Sequence, residues 1–544
     1  MKDRTFGDPA SLDILAPSTT HNSVGPHVYS ALFQFKPGVL KPTENEIAGD
    51  VVESWEWAPD GLSATLKLRP GVKFHDKPPI NGRALDTDDV LFSWDRFSRL
   101  SSGRIGVANS ADPDGPVLSL TAPDAKTLVL KLKEPLTYAL ALFAENLGGR
   151  PLMIAKETGT SFDIRGDAIG TGPFVLTKYT PSVGFNFKRN PDYYDQDFAF
   201  VEQIELPIVA EYAAALAQLK AGNIYSMGSG GNTPKVKAED ILPTKREESR
   251  LSIYPGDLAG GGPRMGFGYL PGSPFLDERI RQAASMSIDR DLYIDTFQNV
   301  SKFTSEGLPM ETRWNTSLSG SLEGWWLDPQ GKEFGANAKY YKHDLAEAKK
   351  LLSAAGHPNG MQNVTSTYIT SGELGDLPKQ SSVIEGMLLE GGIATKFNPV
   401  DYNTQYIPKY RDNQGRFDGL VFKLPGGGAG KNDPVGALSS EFWSKGGVTF
   451  YGFDSAKKGD QSGDPEVEAL IVKARVERDI NRRKALVYDI QRLLAKGSYG
   501  ILPPGVATTF VMAWPSLGNF RVYQGGRLNY RLWVDQTKAP IAKA

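Results

Sequence analysis

Residues 62–75 read LSATLKLRPGVKFH, and the spacing of their apolar side chains sets the character of the first part of the chain. Leu62, Ala64, Leu66 and Leu68 recur at every second position, the period of a strand with one buried face. Arg69-Pro70-Gly71 then turns the chain, proline fixing φ and glycine accepting a backbone that other residues avoid. Val72 and Phe74 are expected to open a second short extended run. Downstream, Val90, Leu91, Trp94 and Phe97 fall at helical spacing behind Asp86-Thr87-Asp88-Asp89, whose carboxylates suit the positive end of a helix dipole. Alternation returns at Leu128, Leu130 and Leu132, and again at Val183, Phe185 and Phe187. The first two hundred residues are therefore expected to be short strands and turns with a few helices.

Further on the period changes. Asp277-Glu278 opens a helix with Ile280, Ala283, Ala284 and Ile288 on one face. Residues 344–355 make the clearest helix: Asp344 and Glu347 have capping-box spacing, and Leu345, Ala348, Leu351, Leu352 and Ala355 form its stripe. Gly356 and Pro358 stop it. One long helical stretch is expected from 465 to 496, with Asp464 as cap and Pro465 in the first turn. Strands such as 419–423 lie between these helices, so this half is expected to be α/β. Two junctions bracket it, Tyr254-Pro255-Gly256 and Pro503-Pro504-Gly505. Each is either an ordinary surface turn or a chain crossing; if both are crossings, as their bracketing of the change in texture favours, 256–504 is a lobe inserted into the rest, with the C-terminal tail returning to the first lobe.

The length of 544 residues exceeds what one hydrophobic core ordinarily organises, so two or three domains are expected. With 61 Lys+Arg against 63 Asp+Glu, the chain lacks the basic surplus that grips nucleic acid or anionic lipid. The absence of cysteine excludes disulfides, thiolate catalysis and Cys-ligated metal sites. No window approaches the ~18–20 apolar residues of a membrane-spanning helix. Met1-Lys2-Asp3-Arg4 leads straight into mature-looking sequence, which suits a cytosolic protein or an exported one whose leader has been trimmed.

Catalytic and cofactor patterns fail on spacing. Residues 426–431, GGGAGK, would need Gly at 425 and Ser or Thr at 432 to cradle phosphate; Pro425 and Asn432 stand there. The glycines of 166–172 follow no strand and open no helix, as a dinucleotide fingerprint would require. There is no Gly-x-Ser-x-Gly elbow and no His-Glu-x-x-His. The histidines (21, 27, 75, 343, 357) are scattered, so no metal site is expected; His21 and His27 are read as ordinary polar residues. No catalytic residue and no cofactor is assigned. Carboxylate pairs for glycoside hydrolysis come from distant strands and leave no local signature, so a secreted hydrolase acting on oligosaccharides or peptides stands as the alternative to a binding protein, with a structural or chaperone-like protein third. Among the aromatics, Trp325-Trp326 sits in a polar, Gly-rich stretch and is a candidate for lining a ligand cleft, or for packing under a loop.

Several segments together resemble a known family. Val52-Glu53-Ser54-Trp55-Glu56-Trp57, Asp60-Gly61 and 66–75 (LKLRPGVKFH), followed by Thr87-Asp88-Asp89-Val90, are similar to the signature region of family 5 extracellular solute-binding proteins, the dipeptide/oligopeptide/nickel-type receptors of ABC importers. Gly170-Thr171-Gly172-Pro173-Phe174 with Arg189-Asn190-Pro191-Asp192-Tyr193-Tyr194, then 277–290 (DERIRQAASMSIDR), 346–356 and 475–494, resemble later blocks in the same order. The resemblance implies an α/β, two-lobed, hinged periplasmic-binding-protein type II fold with an extra inserted domain. Its first lobe would be discontinuous (1–46, 167–254 and 505–544), the insert would span 47–166, and the second lobe 255–504. Pro255, Gly256, Pro504 and Gly505 would be the hinge. A small solute (peptide, sugar or conjugate) would be held between lobes in a non-catalytic monomer, and closure would present it to the permease of the importer. The place of work would be the periplasm or the outer face of the cytoplasmic membrane, as a free protein or a lipoprotein whose lipid-bearing Cys lies upstream.

One departure bears on the solute. Peptide-binding relatives typically carry a Trp after a Phe-Asp strand and an Asp four residues before an acidic-Pro pair, the Asp meeting the peptide's α-ammonium. Here the strand is Phe417-Asp418 and the pair Asp433-Pro434, and the matching positions are Lys423-Leu424 and Gly430, with 426–430 enlarging the loop. Without that carboxylate a buried ammonium lacks its partner, whereas Lys423 and Lys431 favour an anionic or hydroxyl-rich ligand. By this resemblance Lys423, Gly430, Lys431, Asp433 and Trp443 face the ligand, and Trp325, Trp326 and Tyr402 are further candidates.

Overall fold

The computed structural model describes the chain apart from residues 6, 16–22, 37–45, 145–149, 196–199, 228–235, 261, 370–376, 424–432, 521–530 and 542–544. The chain divides into two compact units, Met1–Asp257 with Thr509–Ala544, and Leu258–Thr508.

In the first unit the opening stretch forms the strand Ser63–Leu68, inside an antiparallel sheet ordered Val52–Trp57, Ser63–Leu68, Thr127–Leu132, Val117–Asp124. Ala64, Leu66 and Leu68 are buried as the alternation requires, and Leu66 faces Leu128 across the ladder. Leu62 is exposed and lies before the strand. The second extended run expected at Val72 and Phe74 is not a strand. Both side chains are buried, but the chain folds back on 83–85, joined by one bridge between Lys73 and Ala84 and by the Phe74 amide donating to the Arg83 carbonyl.

The acidic run before Val90 has a more specific job than meeting a dipole. Asp86 accepts from the Asp89 amide and Asp89 from the Asp86 amide, both at 3.1 Å, a reciprocal capping box on the helix Thr87–Leu100. Asp89 is fully buried and also accepts from both terminal nitrogens of Arg83, at 2.7 and 2.6 Å. A second sheet is the meander Phe174–Thr180, Gly184–Arg189, Gln203–Pro207. The sequence blocks that looked unconnected meet here. His75 is buried with Nε2 3.0 Å from the Gly172 carbonyl, which also accepts from Asn190 Nδ2, and Tyr194 donates to Asp50. A β-carbon on Gly172 would fall 2.5 Å from the Val28 carbonyl carbon, so only glycine permits that approach. His27 is half-buried against the rings of Phe174 and Phe187, and His21 lies outside the described residues.

The second unit has a five-stranded mixed sheet ordered Ile393–Pro399, Met361–Tyr368, Leu420–Lys423, Arg264–Phe267, Gly500–Ile501. Its first three strands are parallel and the last two join antiparallel. The helix Glu278–Ser287 is capped by Asp277, and Leu345–Ala354 by Asp344, as their sequences predict. The long helix expected over 465–496 is two, Pro465–Val476 and Ile480–Gly497. Asp479 accepts from the Arg482 amide and caps a new N-terminus, while Val467, Ile471 and Ala474 and then Val487, Ile490 and Leu494 keep buried faces on both helices. The apolar spacing alone therefore conceals the break. Arginines from 277–290 staple this unit: Arg281 donates to the Gly497 and Phe275 carbonyls, and fully buried Arg290 to the Ser285 and Tyr341 carbonyls.

The chain passes between units at 257/258 and 508/509, within the strands Ser252–Ala259 and Gly505–Ala513, which are neighbours in one three-stranded sheet. Pro255 and Gly256 lie inside the first strand; Gly505 begins the second and Pro504 precedes it.

Candidate functional site

The last residue of the strand Leu420–Lys423 is the most unusual in the second unit. Three apolar residues drive this strand into the core, and Lys423 follows them there with only 5% of its surface exposed. The register places Arg264 opposite Lys423 and Gly266 opposite Val421, so these four share one face. Gly266 in turn lies opposite Gly500. A β-carbon on Gly266 would come within 3.2 Å of Lys423 Cε, and one on Gly500 within 2.4 Å of Tyr451 Cζ. The paired glycines thus make a trough that takes the lysine stem and the tyrosine ring. The ammonium ends 5.1 Å from the centre of the Tyr451 ring and has no hydrogen-bond acceptor among the described residues. Burial pulls its pKa down to about 8; Asp412 opposes that shift, and Arg264 and Arg411 add to it.

The charges around it pair with one another. Arg264 forms an ion pair with Glu441, a buried residue of the helix Pro434–Phe442. Arg411 donates from Nε and Nη2 to the two oxygens of Asp412, both at 2.8 Å, and lies 3.5 Å from the Tyr402 hydroxyl. Arg411 closes a π-helix, Tyr402–Arg411, whose five-residue spacing shows in the Tyr406 amide donating to Asp401 and the Asp412 amide to Ile407. Such wide turns recur at functional sites. Tyr402 stacks on Tyr406, whose hydroxyl donates to the Phe422 carbonyl beside Lys423. Among the described residues three cations therefore meet two carboxylates, and the one without a carboxylate partner is Lys423.

Of the residues singled out from sequence, Lys423 and Tyr402 belong to this cluster. Asp433 and Trp443 bracket the helix that supplies Glu441: Asp433 caps its N-terminus through the Val435 and Gly436 amides, and Trp443 ends it with Arg475 stacked 4.1 Å from its ring. Burial raises the Asp433 pKa. Gly430 and Lys431 lie outside the described residues. Trp325 and Trp326 gather against the helix Ile480–Gly497: Gln491 donates to the Trp325 carbonyl, Arg483 and Lys484 sit over the Trp325 ring, and Trp326 Nε1 donates to the Trp314 carbonyl. Arg264, Arg411, Asp412, Glu441 and Tyr451 were not singled out. They come from four separate segments and share no spacing, and the only local hint is a glycine in each of two strands.

Among the described residues no helix is long and apolar enough to cross a membrane, and no group of three or more His, Asp or Glu is placed to hold a metal ion. The model of the bacterial extracellular solute-binding proteins, family 5 (middle region), matches residues 46–448, and the chain belongs to that family. It is 24% identical to di/tripeptide-binding protein 1 of Pseudomonas aeruginosa over 95% of this chain and 90% of that one. It is likewise 24% identical to heme-binding protein A of Haemophilus influenzae, over 78% of this chain and 73% of the relative. The fold is similar to the ABC transporter-associated periplasmic binding protein DppA of Helicobacter pylori, solved with the peptide STSA, with a TM-score of 0.70 and 19% identity across 98% of both chains. The α/β architecture is that of the two-lobed periplasmic binding proteins, and the chain is an extracytoplasmic solute-binding protein.

Proposed function

We propose that this protein is the non-catalytic receptor of an ABC importer, capturing a peptide or other small polar solute and delivering it to the membrane permease as a monomer. The observation that carries this reading is the family match over residues 46–448, supported by relatives named for di/tripeptide and for heme binding that align with most of the chain. Because those solutes differ, family membership by itself leaves the solute to the residues of the site. Pro255, Gly256, Pro504 and Gly505 lie within a few residues of the two crossings and are proposed as the hinge, with 47–166 as an inserted domain. The ligand-facing set is proposed to be Lys423, Gly430, Lys431, Asp433, Trp443, Trp325, Trp326 and Tyr402. Native mass spectrometry of the protein as purified, followed by calorimetry, tests the function. One solute per chain, released unchanged, is expected, and repeated conversion of the solute would favour the hydrolase instead.

A further inference from the structure

We propose that Lys423 anchors an anionic oxygen group, a carboxylate in the first instance, on the solute this protein binds. The inference deepens the receptor reading and rests on it.

An ammonium carries three N–H donors. Withdrawing it from water without an acceptor is costly, and such cations are ordinarily paired or replaced by apolar residues of similar shape. Here the ammonium is buried, touches one aromatic face and has no acceptor among the described residues. Among the described residues no neighbouring carboxylate is free to serve. Glu441 is held by Arg264 and Asp412 by Arg411, each cation closer to its carboxylate than Lys423 is. The site is also built rather than accidental, since Gly266 and Gly500 keep open the trough in which the stem and the Tyr451 ring lie.

Position supplies a second, independent indication. Lys423 is the carboxyl-terminal residue of a strand parallel to Met361–Tyr368, which is itself parallel to Ile393–Pro399. In α/β sheets, ligands bind outside the carboxyl ends of parallel strands. A solute carboxylate arriving there would meet an ammonium that has no acceptor among the described residues, with Arg264, whose Nε is also unpartnered among them, beside it. Such a partner converts an uncompensated buried charge into a charge-assisted hydrogen bond. A cationic or neutral solute would leave the ammonium unmatched.

The test uses the whole protein, unfolded and refolded to strip carried solute, with two matched pairs of probes: dialanine and its C-terminal amide, and galacturonate and galactose. Calorimetry on wild type should show at least one acid bound about 10- to 100-fold more tightly than its uncharged partner, the range of a hydrogen bond to a charged group. Lys423→Met should abolish that preference and Lys423→Arg should retain part of it. One-to-one binding with no acid preference, or a preference that survives in Lys423→Met, overturns the proposal and leaves the receptor reading standing. Binding of none of the probes, together with no stoichiometric solute in native mass spectra of the protein as purified, overturns both. A Lys423→Met protein that is less stable when solute-free and unchanged in preference would assign the lysine to packing alone and refute the proposal.

Discussion

Lys423→Met is expected to stabilise the solute-free protein at neutral pH, and the size of the gain follows from the ammonium's surroundings. An unfolded lysine titrates near 10.4, whereas burial holds Lys423 at about 8. Below pH 8 both states keep the proton and the folded state bears the full cost of the buried charge. As pH rises from 8 to above 10 the folded state releases its proton first, so stability increases with pH across that window. The difference corresponds to roughly 3 kcal/mol at neutral pH. Methionine fills the same trough and keeps a favourable contact with the Tyr451 ring, while the cation–π contact of about 1 kcal/mol is lost. The net gain at pH 7 is then about 2 kcal/mol, or roughly 4–8 °C in the melting temperature of a unit this size. The other charged groups facing the ammonium are Arg264, Arg411 and Asp412, and burial raises the neighbouring Tyr451 hydroxyl to about 12, above this window. Thermal unfolding of wild type and variant at pH 7 and pH 10 checks this: the variant's advantage should shrink toward zero at the higher pH. A variant less stable at pH 7, or an advantage unchanged by pH, would refute the reasoning.

Asp89→Asn should lower stability by about 2–4 kcal/mol, because it weakens a buried carboxylate that accepts from Arg83 at 2.7 and 2.6 Å and from the Asp86 and Lys156 amides; the urea midpoint reports it. Gly500→Ala drives a methyl to 2.4 Å from the Tyr451 ring and should cost about 1–3 kcal/mol. Adding Tyr451→Ala should then cost less than the sum of the two single changes, as a double-mutant cycle measures. Asp433→Ala removes the acceptor for the Val435 and Gly436 amides and should cost about 1 kcal/mol by denaturant unfolding.

Much of the fold was legible because it depends on neighbours in sequence. Ala64, Leu66 and Leu68 alternate because one face of their strand is buried, and Asp277 and Asp344 cap helices within three residues of themselves. Readings failed where a local pattern had two physical solutions. Val72 and Phe74 alternate like a strand, yet they bury their side chains from a turn-rich segment pinned by its own backbone bonds. The apolar spacing across 465–496 persists through a break, because Asp479 restarts the helix without shifting its buried face. The π-helix carrying Tyr402 and Arg411 contains Pro408 and has no apolar period to reveal it. At the site, Lys423 could be singled out by its position in the family resemblance. That its charge is uncompensated could not, because the answer lies in which cation each of Glu441 and Asp412 has already taken.

The residues that make the family recognisable are therefore not the ones proposed to anchor the solute. His75, Gly172 and Asn190 converge on one carbonyl and its surroundings in the first unit, and Arg281, Gln282 and Arg290 tie helices to backbone carbonyls in the second. These staples keep their value whatever the solute, since their hydrogen bonds run to the protein's own backbone carbonyls. The cluster around Lys423 is the opposite case. Arg264, Glu441, Arg411 and Asp412 neutralise one another, and the fifth charge is left over. A receptor that must release its solute gains from such an arrangement, because a cation with no internal carboxylate is matched only while a solute anion is present. Selectivity for an acid then comes from a cost the solute-free protein carries, and the same cost is what Lys423→Met should remove along with the preference.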